Sequence, residues 1–508
     1  MRRERTWSDR PVPRSSPAAV AGTDVRPGLL VLALALGVTT LSLLQSLVVP
    51  VLPTIARELS VSPGAAGWVL TANLLAAAVL TPVLGRLGDV HGERRVVLGI
   101  LTVVSAGTLL AALTSSLPLL LVARVLQGAS YGLFPLSISV LRRELPEQRL
   151  SVAMSVVSST LAVGGVVGLV ATGLLTGDDG DYHRSFWLGL AVSLLALALT
   201  AWVLPARPPT ATGRVDWWGA LLLGAGLVLF LLPVSQAGSW GWTSPAVLGC
   251  LAGAVVALTG WIVLQRRVAD PLVRPALLTD RRMVVPNVAG LLTGICIFTS
   301  FLAVLQYVES PPEVAGYGFG ASVLEAAVLY LLPGGVLGIV VAPLAGRAVA
   351  RVGALPTLLA GAVCGIAGFG LLTLFRGAPW LWIVIGLLTQ LFVTVAYAAL
   401  PALVVHAVRP DETGVANAVN SIARASGQAL GSTVAVALLA AGADPVTGLP
   451  RESAFALVGG VGLVCTAGVA LVSLLGRRSV AEHGPDELAD VEAATARAGE
   501  WSPVSGLR

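Results

Sequence analysis

The stretch Leu29–Leu52 (LLVLALALGVTTLSLLQSLVVPVL) contains no charged residue. An apolar run of about 20 residues is long enough to cross the hydrocarbon core of a bilayer as a helix. Comparable runs recur throughout the 508 residues, and only 12% of all positions are charged, about half the share that soluble domains carry. A soluble protein with so little polar surface would leave its core uncovered. The sequence therefore predicts an all-α integral membrane protein.

Fourteen such runs follow one another along the chain, each close to the length of about 20 residues that a spanning helix requires. The predicted spans are 28–50, 67–85, 96–114, 118–141, 152–175, 186–204, 217–236, 245–265, 286–308, 322–346, 355–375, 380–404, 414–440 and 454–476. Because fourteen is an even number, we expect both termini on the same side of the membrane.

Arginine is concentrated in alternate breaks between the predicted spans. Sixteen arginines lie in the breaks that follow spans 2, 4, 6, 8, 10 and 12, whereas four lie in the opposite breaks. Cytoplasmic loops carry the excess of basic residues in membrane proteins. We therefore expect a multi-pass protein of the plasma membrane with both termini in the cytoplasm.

A short internal repeat divides the chain. Gly85–Gly92 (GRLGDVHG) and Gly346–Gly353 (GRAVARVG) both follow a span on the arginine-rich side, and they lie eight spans apart. A duplication of six helices with two helices inserted between the copies gives this separation, and parallel halves of this kind enclose the substrate cavity of some transporters. The expected units are a cytoplasmic tail 1–27, a six-helix half 28–204, two inserted helices with linkers 205–283, a six-helix half 284–476 and a cytoplasmic tail 477–508.

Several motifs resemble those of one family. Gly85–Arg95 (GRLGDVHGERR) resembles the cytoplasmic signature G-x-x-x-D-R/K-x-G-R-R/K of the major facilitator superfamily, and Leu121–Gly128 (LVARVLQG) resembles its fourth-helix pattern. Val215–Trp242 resembles the added helix of fourteen-span drug:proton antiporters. The resemblance covers roughly residues 28–476. It implies a major facilitator-like bundle of 14 transmembrane helices that exports lipophilic compounds, with protons as the coupling ion.

The chain departs from this family at two motifs. Leu43–Ile55 resembles the first-helix pattern L-D-x-T-I-V-N-V-A-L-P-x-I, but Leu44 stands at the acidic position. Gly164–Gly173 matches the fifth-helix antiporter motif G-x-x-x-G-P-x-x-G-G in part, with Leu169 at its proline and Thr172 at one glycine. Proton coupling would therefore depend on other acids.

Two arginines lie within predicted spans, where a charged group is costly and needs a partner or a function. Arg124 is about six residues into span 4 and Arg424 about ten into span 13, so they lie roughly 9 and 15 Å deep at the rise of a helix. Each is either part of a structural hydrogen-bond network or a cation of the cavity that sets the pKa of a nearby acid.

Carboxyl groups are scarcer near the spans. Glu325 is expected about one turn inside span 10, and Glu309 lies just outside span 9. A proton carrier needs a carboxyl whose pKa rises on burial and falls on exposure or near a cation. We therefore predict that Glu325, and next Glu309, carries the proton, with Arg124 and Arg424 as basic groups of the cavity. Alternatively, Glu325 lies at the outer rim of the protein and has no role in proton coupling.

The signature turn itself supplies a candidate gate. Its proposed members are Gly85, Asp89, Gly92, Arg94 and Arg95. A carboxylate before a helix can face the positive end of that helix and pair with arginine. The simpler interpretation is a basic turn that sets topology, and the family resemblance adds a charge cluster that stabilises one access state.

Uncharged polar residues inside the spans are candidates for lining the cavity. Alone, each is more often a hydrogen bond between packed helices. Together they suggest an amphipathic site with few fixed charges, suited to lipophilic substrates. The candidates are Gln45, Ser46, Asn73, Gln127, Tyr131, Gln306, Gln390 and Tyr397.

Other functional classes fit less well. Gly128–Gly132 matches G-x-S-x-G, but that nucleophile motif needs a strand–turn–helix context and here lies within an apolar span. We expect no enzyme activity, no cofactor, no metal site and no nucleic-acid partner. The expected partners are the bilayer, protons and a small lipophilic substrate, bound by a monomer. Export of a dedicated metabolite and nutrient uptake are the alternatives within transport; a membrane sensor or embedded enzyme is the alternative outside it.

Overall fold

The protein is described by a computed structural model that covers residues 26–176, 181–209, 215–241, 243–268, 271–273, 280–375, 377–408, 412–444 and 446–499. Over these ranges the regular structure is helical, with one isolated antiparallel bridge between Ala443 and Pro450. Apart from its last two residues, the tail predicted at 1–27 lies outside the described chain, as do residues 500–508 of the C-terminal tail.

Fourteen helices of the described chain are long and apolar enough to cross a membrane, which confirms the predicted number. In chain order they are α1 Pro27–Ser46, α2 Ala65–His91, α3 Glu93–Leu113, α4 Leu117–Glu144, α5 Glu147–Leu175, α6 His183–Val203, α7 Trp217–Val234, α8 Pro245–Gln265, α9 Arg282–Glu309, α10 Ala326–Val352, α11 Ala354–Leu374, α12 Pro379–Ala407, α13 Thr413–Ala441 and α14 Glu452–Gly476.

Several helices extend beyond the apolar runs that predicted them. The prediction ended the second span at residue 85, whereas α2 continues through Asp89 to His91. Helical hydrogen bonding does not stop at the membrane surface, so a helix ends where its backbone changes conformation. Gly92 makes that change, with φ +92°, a value that favours glycine.

Two spans contain a change of helix type. A 3-10 segment, Gly128–Gly132, interrupts α4 near its middle, and a π segment, Ala326–Leu331, forms the start of α10. Such segments alter the direction of the side chains that follow. Tyr131 and Tyr330 lie in these two segments, and both line the central cavity described below.

Glycines bring the first and fifth helices of each half together. A methyl group at Gly164 or Gly168 of α5 would lie 2.1 or 2.0 Å from the hydroxyl oxygens of Ser42 and Ser46 in α1. In the second half, α9 and α13 approach in the same way, because a methyl at Gly427 would lie 2.0 Å from a backbone oxygen of α9. Small residues allow this close packing between membrane helices.

The two inserted helices pack on one side of the bundle. Gly224 of α7 lies against Val79 of α2, and Thr433 of α13 donates a hydrogen bond to the Val234 carbonyl of α7 at 2.9 Å. Helix α7 therefore contacts one helix from each half. Helix α8 packs on α7 and is peripheral: Val256 is 72% exposed, as expected of a side chain that faces lipid.

Candidate functional site

A cavity of about 210 Å³ lies between the two halves. Its lining comes from α1, α4 and α5 of the first half and from α9, α10, α12 and α13 of the second. Most of the lining is apolar or aromatic, including Phe134, Phe298 and Phe301. Ligand sites combine such a lining with a few well-placed polar groups.

The cavity lies away from the end of the bundle that carries Asp89, which we call the signature end. Helices α1, α5 and α9 start at that end, and their lining residues fall within 41–49, 161–169 and 297–304. These are the halves of the helices remote from the signature end. The cavity therefore extends from the middle of the membrane toward the opposite end.

Arg424 is the basic residue of the cavity lining. Its guanidinium carbon lies 5.0 Å from the centre of the Phe134 ring and 5.1 Å from that of Tyr397, both cation–π distances. Its Nη2 is 3.5 Å from the hydroxyl of Ser421, and its buried Nη1 has no hydrogen-bond partner among the described residues. Two aromatic rings thus lie beside a cation whose hydrogen-bonding capacity is only partly used.

Arg124 has a different environment. It is fully buried and donates to the backbone oxygens of Val69 at 2.9 Å and Leu44 at 3.1 Å, and to the side chain of Gln127 at 2.6 Å. These bonds join α4 to α1 and α2. Arg124 is not part of the described lining, which corrects the prediction that it is a basic group of the cavity.

Of the eight polar candidates, five line the cavity: Gln45, Ser46, Tyr131, Gln390 and Tyr397. The buried hydroxyl of Tyr131 and the amide nitrogen of Gln390 have no hydrogen-bond partner among the described residues. Three candidates lie elsewhere. Asn73 and Gln127 belong to the Arg124 network, and Gln306 lies on α9 outside the lining.

The two predicted proton carriers also lie outside the lining. Glu325 was expected inside the membrane, but it is exposed just before α10, where it accepts hydrogen bonds from the backbone N–H (2.8 Å) and the hydroxyl (3.0 Å) of Ser322. These bonds hold the pKa of the Glu325 carboxyl below its usual value, which is the opposite of the rise that the prediction required. Glu309 is half-buried at the end of α9, and its Oε1 has no hydrogen-bond partner within the described chain.

Asp89 is fully buried at the end of α2 and faces the start of α13. A methyl group at Gly414 would lie 2.7 Å from its carboxylate, so glycine is needed for this approach. The first turn of a helix carries partial positive charge, which favours a carboxylate there. The carboxylate thereby links the first half to the second at the signature end.

The repeated glycines also make close contacts between the halves at this end. A methyl at Gly85 would lie 3.1 Å from the Gly414 oxygen, and one at Gly346 would lie 2.7 Å from the Cα of Val152 in α5. The first glycine of each repeat copy therefore packs on the backbone of the opposite half. These two contacts close the cavity toward the signature end.

The remaining predicted gate residues act within the first half. Gly92 forms the turn between α2 and α3, Arg94 donates to the backbone oxygen of Ala201 at 2.8 Å, and Arg95 is exposed.

Sequence reasoning missed several contributors. Buried Glu93 forms an ion pair with Arg143 at 3.1 Å, and Arg142 donates to Thr413 (2.5 Å) and to the Val408 oxygen (3.0 Å) of the other half. The cavity aromatics, above all Phe134, were also missed, because an aromatic residue in an apolar span carries no distinguishing signal.

Two helical halves around a central membrane cavity, closed at one end, form the architecture of a membrane transporter. Comparison with known sequences gives the family: the model of the Major Facilitator Superfamily matches residues 34–432 and 289–505. This chain belongs to that superfamily.

The chain resembles bacterial transporters over much of its length. It is 32% identical over 330 residues to an uncharacterized MFS-type transporter of Mycobacterium tuberculosis, an alignment that covers 63% of this chain and 46% of that protein. The chain thus spans about half the length of that relative. It is 29% identical over 438 residues to the tetracenomycin C resistance and export protein of Streptomyces glaucescens, covering 84% of this chain and 79% of that one.

A solved structure shares the fold. The human organic anion transporter MFSD10 (TETRAN) aligns with a TM-score of 0.60 over 87% of this chain and 98% of its own, at 18% sequence identity. At that identity the likeness concerns the fold alone.

Proposed function

We propose that this protein is a secondary active transporter that exports amphipathic, largely apolar organic compounds across the plasma membrane by alternating access. The observation that carries the proposal is the cavity between the halves, closed at the signature end by the contacts of Gly85 and Gly346. The family membership and the similarity to a protein named as a tetracenomycin C resistance and export protein support it.

The arginine distribution supports an orientation for this cycle. The signature end carries the arginine-rich breaks, so we place it in the cytoplasm together with both termini. The cavity is then closed toward the cytoplasm and extends toward the outside, as expected after the substrate has been moved across. The opposite state requires Gly85 and Gly346 to separate from the backbones they contact.

We further propose that protons drive the export and that Glu309 is the first carboxyl to test as carrier. It is half-buried at the end of α9, and one carboxylate oxygen is buried without a hydrogen bond within the described chain, a setting in which the neutral acid is favoured. Glu325, which is exposed and bonded to Ser322, supplies the matched comparison.

We propose a transport activity without a catalytic step, performed by a monomer. Each half contributes helices to one cavity within a single chain, so a second copy is not needed to complete the site.

The proposal is tested by accumulation of fluorescent compounds in bacterial cells that lack their own major efflux pumps. The panel contains a neutral, an anionic and a cationic amphipath. Expression of this chain should lower the accumulation of at least one of them several-fold, and a protonophore should restore it. Equal accumulation of all three with and without the protein would contradict export.

A further inference from the structure

The lining of the cavity carries a positive charge without a matching negative charge. Its lining contains one full positive charge, Arg424, and the described lining residues include neither aspartate nor glutamate. A buried cation without an anion is costly, and such charges in proteins are normally paired. The cavity therefore presents a positive charge that its own walls do not neutralise.

Comparison with Arg124 shows that this is a property of the site rather than of membrane arginines in general. Arg124 is also buried, but two backbone oxygens and the Gln127 side chain accept its hydrogen bonds. Arg424 has one long contact to Ser421 and a buried Nη1 without a described partner. Of these two arginines, Arg424 is the one with a buried donor that lacks a described partner.

The other unpaired groups of the cavity are also donors. The hydroxyl of Tyr131 and the amide nitrogen of Gln390 are buried without partners among the described residues, and both residues share the lining with Arg424. Both groups can donate, so a ligand that carries hydrogen-bond acceptors satisfies them. Carboxylates and other oxyanions do so, and they form the strongest hydrogen bonds with a guanidinium group.

The aromatic neighbours restrict the position of this charge. The rings of Phe134 and Tyr397 lie 5.0 and 5.1 Å from the Arg424 guanidinium carbon, so they restrict where the cation can lie. An anion that binds this guanidinium would lie in the cavity beside the two rings. Phe298 and Phe301 of α9 offer apolar surface in the same cavity for the rest of the molecule.

We propose that this cavity selects amphipathic organic anions, with the carboxylate, phenolate or enolate of the substrate bound by Arg424 and its aromatic body packed on the cavity phenylalanines. The proposal rests on the proposed function, since it names the substrate class of the same cavity. Cationic amphipaths, by contrast, meet an uncompensated positive charge and no carboxylate in the described lining.

Binding of three probes that share a pyrene group and a short alkyl chain to the purified full chain tests this selection. The probes are 1-pyrenebutyrate (an anion at neutral pH), 1-pyrenebutanol (neutral) and a 1-pyrenebutyl-trimethylammonium salt (cation). Their affinities are measured by pyrene fluorescence in proteoliposomes without a pH gradient, after subtraction of the signal from protein-free liposomes. We expect pyrenebutyrate to bind at least about tenfold more tightly than the cation, which corresponds to about 1.4 kcal/mol.

Two substitutions of Arg424 test whether this residue causes the preference for the anion. Arg424→Gln should abolish the preference for the anion and leave the affinity for pyrenebutanol within about twofold of wild type. Arg424→Lys keeps the charge and should retain most of the preference, which separates charge selection from a loss of folding. Equal or tighter binding of the cation by the wild-type protein, or an anion preference that persists in Arg424→Gln, would overturn the proposal.

The binding measurement is independent of the export measurement. If the anion preference and its loss in Arg424→Gln are observed but no compound is exported from cells, the proposed function fails and the selectivity stands. If export is observed for cationic compounds and the pyrene series shows no dependence on Arg424, the export function stands and the selectivity fails.

Discussion

The carboxylate of Asp89 at the end of α2 packs against Gly414 in the first turn of α13, so that a single buried acid joins the two halves at the signature end. Asp89 contributes the charged carboxylate, and Gly414 allows its close approach because glycine has no side chain. Because α2 and α13 belong to different halves, the contact exists only while this end is closed.

Substituting Asp89→Asn tests this contact as a gate. The change keeps the size of the side chain and removes the charge that faces the start of α13, so the protein should still fold while its closed state loses stability. We expect lower transport and faster thiol labelling of a cysteine placed at the Gly85 contact. Exposed Glu147 supplies the control substitution Glu147→Gln, which should change neither. Unchanged labelling and transport in Asp89→Asn would leave the turn with a topological role only.

The glycine of the second repeat copy gives a steric test of the same end. A methyl at Gly346 would lie 2.7 Å from the Cα of Val152, closer than backbone can accommodate without moving. Gly346→Ala should therefore separate α5 from α10 and increase labelling from the signature end. Gly370→Ala is the matched control, because nothing lies within 4 Å of its added methyl. Equal labelling in the two variants would show that the halves do not meet at Gly346.

Glu309 and Glu325 are expected to differ as proton carriers. Glu309→Gln should abolish gradient-driven export while downhill exchange of substrate remains measurable. Glu325→Gln should leave gradient-driven export intact, because the bonds from Ser322 lower the pKa of Glu325 and keep it ionised. The stabilisation that Glu325 provides is present above its unfolded-state pKa and is lost as the pH falls through its lower folded-state value. Export that fails in Glu325→Gln and persists in Glu309→Gln would reverse this assignment.

Arg124 is expected to affect folding more than substrate binding. Removing it with Arg124→Ala leaves the backbone oxygens of Leu44 and Val69 without their donor in the membrane interior. We expect a loss of roughly 3 kcal/mol in the free energy of unfolding, visible as a lower Tm in detergent. Arg351→Ala, at an exposed site, should leave the Tm unchanged. A normal Tm combined with a loss of pyrenebutyrate binding in Arg124→Ala would instead place this residue in the substrate site.

Topology is tested by reporter fusions after Arg409 and after Arg478. Both should report a cytoplasmic location, because both follow an even-numbered span. An extracellular signal at either position would contradict the proposed orientation.

The sequence alone was sufficient to predict the membrane spans. The thickness of the bilayer requires apolar runs of similar length, and each run is recognised from its own residues. It was not sufficient to separate Arg124 from Arg424. Both are single arginines in apolar helices, and the difference lies in partners about 50 to 80 residues away, such as Val69 and Leu44. The same limit applies to the two repeated glycines: their spacing predicted a turn, whereas the backbones they contact belong to the opposite half.

Glu325 shows a second limit, the exposure of the first turn of a helix. Placing it one turn inside the span would bury its carboxyl, but the bonds from Ser322 leave it exposed at the entrance of α10. A shift of one turn moves a residue by about 5.4 Å, which is enough to exchange lipid for water. Hydropathy is averaged over a window longer than one helical turn, so it does not resolve a shift of this size.

The position of α7 makes the two lateral faces of the transporter unequal. It contacts α2 through Gly224 and α13 through Val234, and so it covers the seam between the halves on that side. On the other side, α5 meets α10 at Gly335 and Gly346, and neither α7 nor α8 packs there. The seam between the halves is therefore covered by an added helix on one side and formed by direct packing of α5 on α10 on the other, so the surrounding lipid meets two different faces of the protein.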